Sequence, residues 1–161
     1  MVNISLNVNI IIKIILFLIL FYYIYDKTNT NEQDISDATD NWINAVTIDH
    51  DPKKIANFFC NDGNLIGTVS QSKRKGNDIK LYFDYFAKKP GIKVVAKKYN
   101  ISKVTSDVFI NTAFITWNWD GLKRPIMARM TFVFRNCCIF QLHSSVLPEL
   151  NENLLKISGT K

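Results

Sequence analysis

Residues 126–134 read IMARMTFVF, a run rich in apolar and aromatic residues that predicts a β-strand. Three similar runs occupy residues 94–104, 109–119 and 139–146. Short connections separate the four runs, and turn-forming residues mark them at Ser106-Asp107, Asp120-Gly121 and Asn136. Four consecutive strands with such short connections predict an antiparallel sheet.

Three helices are predicted ahead of these strands. Ser36 is the expected N-cap of the first, which carries Trp42 on its apolar face. Asp51-Pro52 provides a cap and a first-turn proline for the second, residues 53–59, and a third covers residues 78–87 after Asn77. A turn at 61–63 and a short strand at 65–68 separate the last two helices. The pattern indicates an α+β fold in which a curved antiparallel sheet packs on three helices and forms a cone.

The N-terminus is strongly apolar. Between Ile10 and Tyr25, fifteen of sixteen residues are apolar, and Lys13 is the exception. Residues 2–25 are long enough to cross a hydrocarbon layer of about 30 Å. We therefore expect one N-terminal transmembrane helix that places the protein at a membrane, on an undetermined side. A cleaved signal peptide and a buried core helix are the alternatives.

The same reasoning divides the chain into four parts. Residues 1–27 form the anchor, 28–40 a polar linker, 41–149 the α+β domain and 150–161 a C-terminal tail.

Charge and cysteine content restrict the partners. The net charge is +6, and residues 73–161 carry sixteen bases against six acids. No nucleic-acid-binding motif accompanies the basic clusters, so we expect solvated surface, with attraction to lipid headgroups as the alternative.

Cys60, Cys137 and Cys138 are odd in number and include an adjacent pair, a pattern that does not predict a disulfide framework and weakly favours a reducing compartment. No metal-ligand spacing is present.

Several motifs in order resemble one known family. They read LIGTVS at 65–70, IKLYFDYF at 79–86, ARMTFVF at 128–134 and HSSVLP at 143–148, with Arg74 and Gly76 after the first and Trp42, Ala45 and Asp51-Pro52 before it. Together they resemble the calcium/calmodulin-dependent protein kinase II association-domain-like proteins of the nuclear transport factor 2-like superfamily, which also contains SnoaL-like proteins. The resemblance covers about residues 41–148.

The resemblance implies a conical α+β barrel that forms dimers or rings through its sheet and holds arginine and histidine in its pocket. In the kinase this domain assembles the holoenzyme, so a protein kinase is an expected partner by analogy. The chain has no kinase motifs of its own. Leu142 stands where relatives often carry the first of two histidines, which places any two-histidine chemistry in doubt.

The expected ligand-binding residues are Arg74, Tyr82, Arg129, Thr131, His143 and Ser145. The last hairpin tests this set, because opposed residues share a face of the sheet. A two-residue turn would oppose Arg129 to Ser144, whereas a three-residue turn would oppose Arg129 to Ser145 and Thr131 to His143. We favour the second register, which gathers an arginine, a histidine and two hydroxyls.

The expected function is a non-catalytic association domain without a metal or cofactor. It would form homo-oligomers and bind a small anionic ligand or an acidic peptide group. One alternative is a SnoaL-like isomerase acting on an apolar carbonyl compound, with His143 as base and Tyr82 as donor. The other is a membrane-surface adaptor with a vestigial pocket.

Overall fold

A computed structural model describes residues 8–27, 30–68, 70 and 72–146. It divides the chain into two compact units, residues 1–30 and 31–161. The predicted tail at 150–161 and the Leu147-Pro148 end of the last motif lie outside the described residues.

The first unit contains helix α1, Val8–Lys27. In the parts of the chain that the structure describes, no helix is both long enough and apolar enough to cross a membrane. The predicted transmembrane helix and the membrane localisation are therefore wrong.

The second unit begins with helix α2, Glu32–Asn44, which starts four residues before the predicted cap. The Asn31 side chain accepts hydrogen bonds from the backbone N–H groups of Gln33 and Asp34, and the Asp34 carboxylate accepts one from the backbone N–H of Asn31. This reciprocal capping box explains the early start. Most of the predicted linker, residues 28–40, is therefore helix.

A π-helical turn, Ala45–Asp49, leads from α2 to helix α3, Pro52–Ala56. The cap predicted at Asp51 is confirmed, because its side chain accepts from the backbone N–H groups of Lys53 and Lys54. Helix α4 spans Asn77–Phe86. Its N-cap is Gly76 rather than the predicted Asn77, and no side chain caps it.

Six strands form one sheet in the order β2-β1-β6-β5-β4-β3. Their bounds are Phe59–Ile66 for β1, Arg74–Lys75 for β2, Lys93–Lys103 for β3, Val108–Asn118 for β4, Ile126–Arg135 for β5 and Cys138–Val146 for β6. The four long strands agree with the predicted runs. The prediction of a purely antiparallel sheet is corrected at one place, because β1 pairs parallel to β6.

The core lies between the helices and the inner face of the sheet. Trp42 of α2 is 1% exposed and makes edge-to-face contacts with Phe83, Trp117 and Phe132. These three rings come from α4, β4 and β5, so one indole joins the helices to the sheet. Aromatic pairs of this geometry stabilise a core by about 0.5–1.5 kcal/mol each beyond the burial of their area.

A disulfide joins Cys60 of β1 to Cys138, the first residue of β6. It closes a separation of 78 residues and connects the two strands that pair in parallel. The cysteine pattern did not predict this disulfide, and the argument for a reducing compartment loses its basis, because such bonds persist in oxidising environments. Cys137 is exposed in the turn before β6.

Replacing Cys60 and Cys138 together by serine should lower the free energy of unfolding by about 2–5 kcal/mol, because the bond restricts a long loop of the unfolded chain. Urea denaturation of the full chain measures the change, and Cys137→Ser is the matched control, expected within about 0.5 kcal/mol of wild type. An unchanged unfolding midpoint, or a non-reduced digest without the linked peptide pair, would contradict the assignment.

Candidate ligand cavity

A cavity of about 690 Å³ opens between α4 and the inner face of β4, β5 and β6. Its wall is largely aromatic. Seven aromatic side chains line it: Trp42, Tyr82, Phe83, Tyr85, Phe86, Trp117 and Trp119. These include all three tryptophans of the chain. A cavity of this size and lining suits a small, mainly apolar molecule.

The sheet contributes mostly apolar side chains to this cavity. Strand residues alternate between faces, so Ala128, Met130 and Phe132 of β5 are buried toward the helices. On β6 the inner residues are Leu142 and Ser144. The polar groups of the cavity therefore come chiefly from the segment after β1 and from α4.

Three hydroxyl groups meet on one wall. The Oγ1 atom of Thr68 lies 2.7 Å from Oγ of Ser144, and the Tyr82 hydroxyl is hydrogen-bonded to Thr68. Burial raises the pKa of Tyr82, an effect that outweighs the opposing hydrogen bond of Thr68 and the positive charge of Arg74. Tyr82 is therefore a neutral phenol at physiological pH and can donate or accept a hydrogen bond.

Gly67 allows this arrangement. A Cβ atom at Gly67 would lie 2.5 Å from Cε2 of Tyr82 and 2.9 Å from its hydroxyl oxygen. The Tyr82 ring itself is held by an edge contact with Phe83 and by stacking on Phe86. Any side chain at position 67 would therefore displace the ring.

Arg74 stands beside the hydroxyl cluster. It is half-buried on β2, and its guanidinium carbon lies 5.4 Å from the centroid of the Tyr82 ring. Its buried Nε–H has no hydrogen-bond partner, and the described residues give it no carboxylate partner. The one side-chain hydrogen bond that it makes to the described residues, to Oγ of Ser72, is long at 3.4 Å. A half-buried cation with no counterion in the described part of the chain favours an anionic ligand.

A second cation lies near the opposite end of α4. The Nζ atom of Lys89 is 4.4 Å from the ring centroid of Tyr85 and 4.8 Å from that of Trp119. Asp78, an exposed residue in the first turn of α4, is the one acid among the described residues that line the cavity.

The structure brings two of the six predicted site residues together. Arg74 and Tyr82 both line the cavity, in contact with each other. Arg129, Thr131, His143 and Ser145 lie instead on the outer face of the sheet. The predicted register is confirmed, since Arg129 opposes Ser145 and Thr131 opposes His143. The predicted three-residue turn is wrong: the turn has two residues, and a one-residue shift in pairing between Val133 and Phe134 produces the register. The face was misassigned, because an unpaired arginine on the inner face would lose its hydration among apolar side chains.

Thr68, Ser144 and Trp119 are cavity residues that were not predicted. Ser144 could have been predicted from the alternation of Ala128, Met130 and Phe132, which places Met130 on the inner face. Met130 opposes Ser144, and opposed residues share a face of the sheet. Thr68 and Trp119 lie just beyond strand ends, where alternation carries no information. Among the described residues, no group of three or more metal-ligating side chains is close enough to hold an ion.

No protein-family model and no curated protein matches the sequence. Solved structures do match. A proposed calcium/calmodulin-dependent protein kinase II association domain from Xanthomonas campestris is 27% identical, with a TM-score of 0.64 over 75% of this chain and 91% of that one. The chain has a nuclear transport factor 2-like fold. The resemblance to association-domain-like proteins that its motifs suggested is thereby confirmed.

More distant nuclear transport factor 2-like structures share the fold. A protein of unknown function from Pseudomonas putida is 14% identical, with a TM-score of 0.62 over 74% of this chain and 95% of that one. A proposed dehydratase from Streptomyces avermitilis is 13% identical, with a TM-score of 0.63 over 72% and 95%. At these identities the likeness concerns the fold alone.

Gly67→Ala should lower the free energy of unfolding by about 1–3 kcal/mol, because the added methyl group overlaps the Tyr82 ring. The same substitution should cost much less in a Tyr82→Ala background, and the double-mutant cycle measures that coupling. Gly76→Ala is the control: a Cβ there meets nothing within 4 Å, so its strain at a φ of +50° should be independent of Tyr82. Additive costs for Gly67 and Tyr82 would contradict the close approach.

Proposed function

We propose that this nuclear transport factor 2-like domain binds, without transforming, a small apolar molecule that carries an anionic group. The observation that carries the proposal is Arg74, a half-buried cation with no carboxylate partner among the described residues, stacked on Tyr82 at the wall of an aromatic cavity. The guanidinium binds the anion, and the hydroxyls of Tyr82 and Ser144 complete its hydrogen bonds.

The proposal of binding rather than catalysis rests on where the histidine, the carboxylate and the phenol that could act on a substrate lie. An isomerase needs a base held close to a buried substrate. The histidine expected to act as that base, His143, is exposed on the outer face. Asp78 is exposed, and Tyr82 offers a neutral hydroxyl.

The three tryptophans provide a direct assay, since all of them line the cavity. Quenching of the intrinsic fluorescence of the full chain can be titrated with biphenyl-4-carboxylate and with its uncharged carboxamide. Arg74→Met should weaken carboxylate binding about tenfold and leave amide binding nearly unchanged, because the charged hydrogen bonds are lost while the apolar contacts stay. Equal loss for both compounds would contradict recognition of the anion.

Arg129→Met is the matched control for that experiment. It removes an arginine from the same fold, but on the opposite face of the sheet from the cavity, so neither affinity should change by more than about twofold. A loss of carboxylate binding in Arg129→Met without one in Arg74→Met would transfer the site to the outer face.

We further propose that the outer face of β4, β5 and β6 associates with a second copy of the chain. Phe114 and Met127 are 45% and 39% exposed on this face, beside the exposed Arg129 and His143. Aligned sheet faces of this mixed character pack well on one another, and a two-fold axis lets one surface serve both partners.

Sedimentation velocity of the full chain tests the association. Phe114→Glu should raise the dissociation constant of the oligomer at least tenfold, because it places a charge in the proposed interface. Ile48→Glu is the control, since Ile48 is 69% exposed in the π-helical turn, away from the sheet. Equal effects of the two substitutions would assign the association to another surface.

A further inference from the structure

Between Arg74 and Lys89 the cavity wall is a continuous row of aromatic rings. The Tyr82 ring stacks on Phe86 with centroids 6.3 Å apart, and Phe86 contacts Trp119 at 6.2 Å. Arg74 adjoins the Tyr82 end of this row, and Lys89 adjoins the Trp119 end. All five residues line the same cavity.

Like Arg74, Lys89 is a cation at the cavity wall without a carboxylate partner among the described residues. It is also half-buried. Its ammonium group has three N–H donors, of which the Tyr85 hydroxyl accepts one at a long 3.4 Å. The rings of Tyr85 and Trp119 hold the ammonium group at the cavity while leaving its other donors open.

The neighbouring lysine shows the contrast. Lys88 is exposed and forms an ion pair with Asp84 one helical turn earlier, with 2.8 Å between Nζ and Oδ1. It does not line the cavity. Of two adjacent lysines, one is therefore paired on the surface and the other faces the aromatic row.

We propose that Lys89, with Tyr85 and Trp119, forms a second anion subsite, so that the cavity takes an elongated aromatic or other apolar dianion with an acidic group at each end. The inference rests on the proposed function, which places the first acidic group of the ligand at Arg74. The ligand's rigid apolar body lies along Tyr82, Phe86 and Trp119.

Biphenyl-4,4'-dicarboxylate and biphenyl-4-carboxylate are suitable probes, because they share an apolar body and differ in the second acid. Tryptophan quenching of the full chain should show the dicarboxylate binding about fivefold more tightly than the monocarboxylate. Lys89→Met should abolish that preference and leave the monocarboxylate affinity within twofold. Lys88→Met should change neither affinity. Circular dichroism of each variant verifies that it is folded.

The two proposals fail in different ways. If the wild-type chain does not prefer the dicarboxylate, or if Lys89→Met weakens both probes equally, the second subsite is wrong while anion binding at Arg74 stands. If Arg74→Met leaves monocarboxylate binding unchanged, the proposed function is wrong, and a dicarboxylate preference that depends on Lys89 would then assign the anion site to Lys89 alone. Absence of binding by either probe would overturn both.

Discussion

The pairing of β5 with β6 determines which side chains enter the cavity. Asn136 and Cys137 both have positive φ angles, 48° and 62°, which is the backbone of a two-residue type I′ turn. The pairing then shifts by one residue between Val133 and Phe134, so a bulge follows the turn. Beyond the bulge, Met130 opposes Ser144 and both are buried. A slip of one residue would exchange the inner and outer side chains of β6.

Because most inner side chains of β4, β5 and β6 that line the cavity are apolar, the cavity obtains its polar groups chiefly from the segment after β1 and from α4. The parallel pairing of β1 with β6 places Leu65 opposite Leu142 and Ile66 opposite His143. Thr68 therefore follows β1 to the level of Ser144, where the two hydroxyls meet. The disulfide fixes the other end of the same strand pair. A covalent bond at one end thus supports a hydrogen-bonded cluster at the other.

The sequence was informative wherever structure depends on neighbours along the chain. Runs of apolar and aromatic residues between turn signals located β3 to β6 to within one residue, and the Asp51-Pro52 cap was evident from its residue types. The alternation of side chains along a strand also implied that Arg129 faces away from Ala128 and Met130. The family resemblance, which implies an arginine in the pocket, predicted the opposite face for Arg129.

Features that depend on contacts between residues far apart in the chain could not be predicted in this way. Asn61-Asp62-Gly63 suggested a turn, but it forms an irregular part of β1, where a Cβ on Gly63 would lie 2.7 Å from the carbonyl oxygen of Ile139. The same Cβ would lie 2.8 Å from the carbonyl oxygen of Cys60, so β6 and the irregular path of β1 together require glycine at this position. The Cys60–Cys138 disulfide also requires β1 to lie beside β6. Because the turn-forming residues 61–63 concealed β1 as a strand, the sequence did not predict the disulfide.

The two faces of the sheet allow the proposed ligand site and the proposed association surface to be altered separately. On β5, Ala128 and Met130 line the cavity, whereas Arg129 lies on the outer face between them. A substitution on these strands can therefore alter one proposed site without altering the other, although both sites share the same three strands. Any coupling between ligand binding and association would have to move those strands as a unit. The disulfide and the Trp42 contacts oppose such movement, so we infer that the two activities are energetically almost independent.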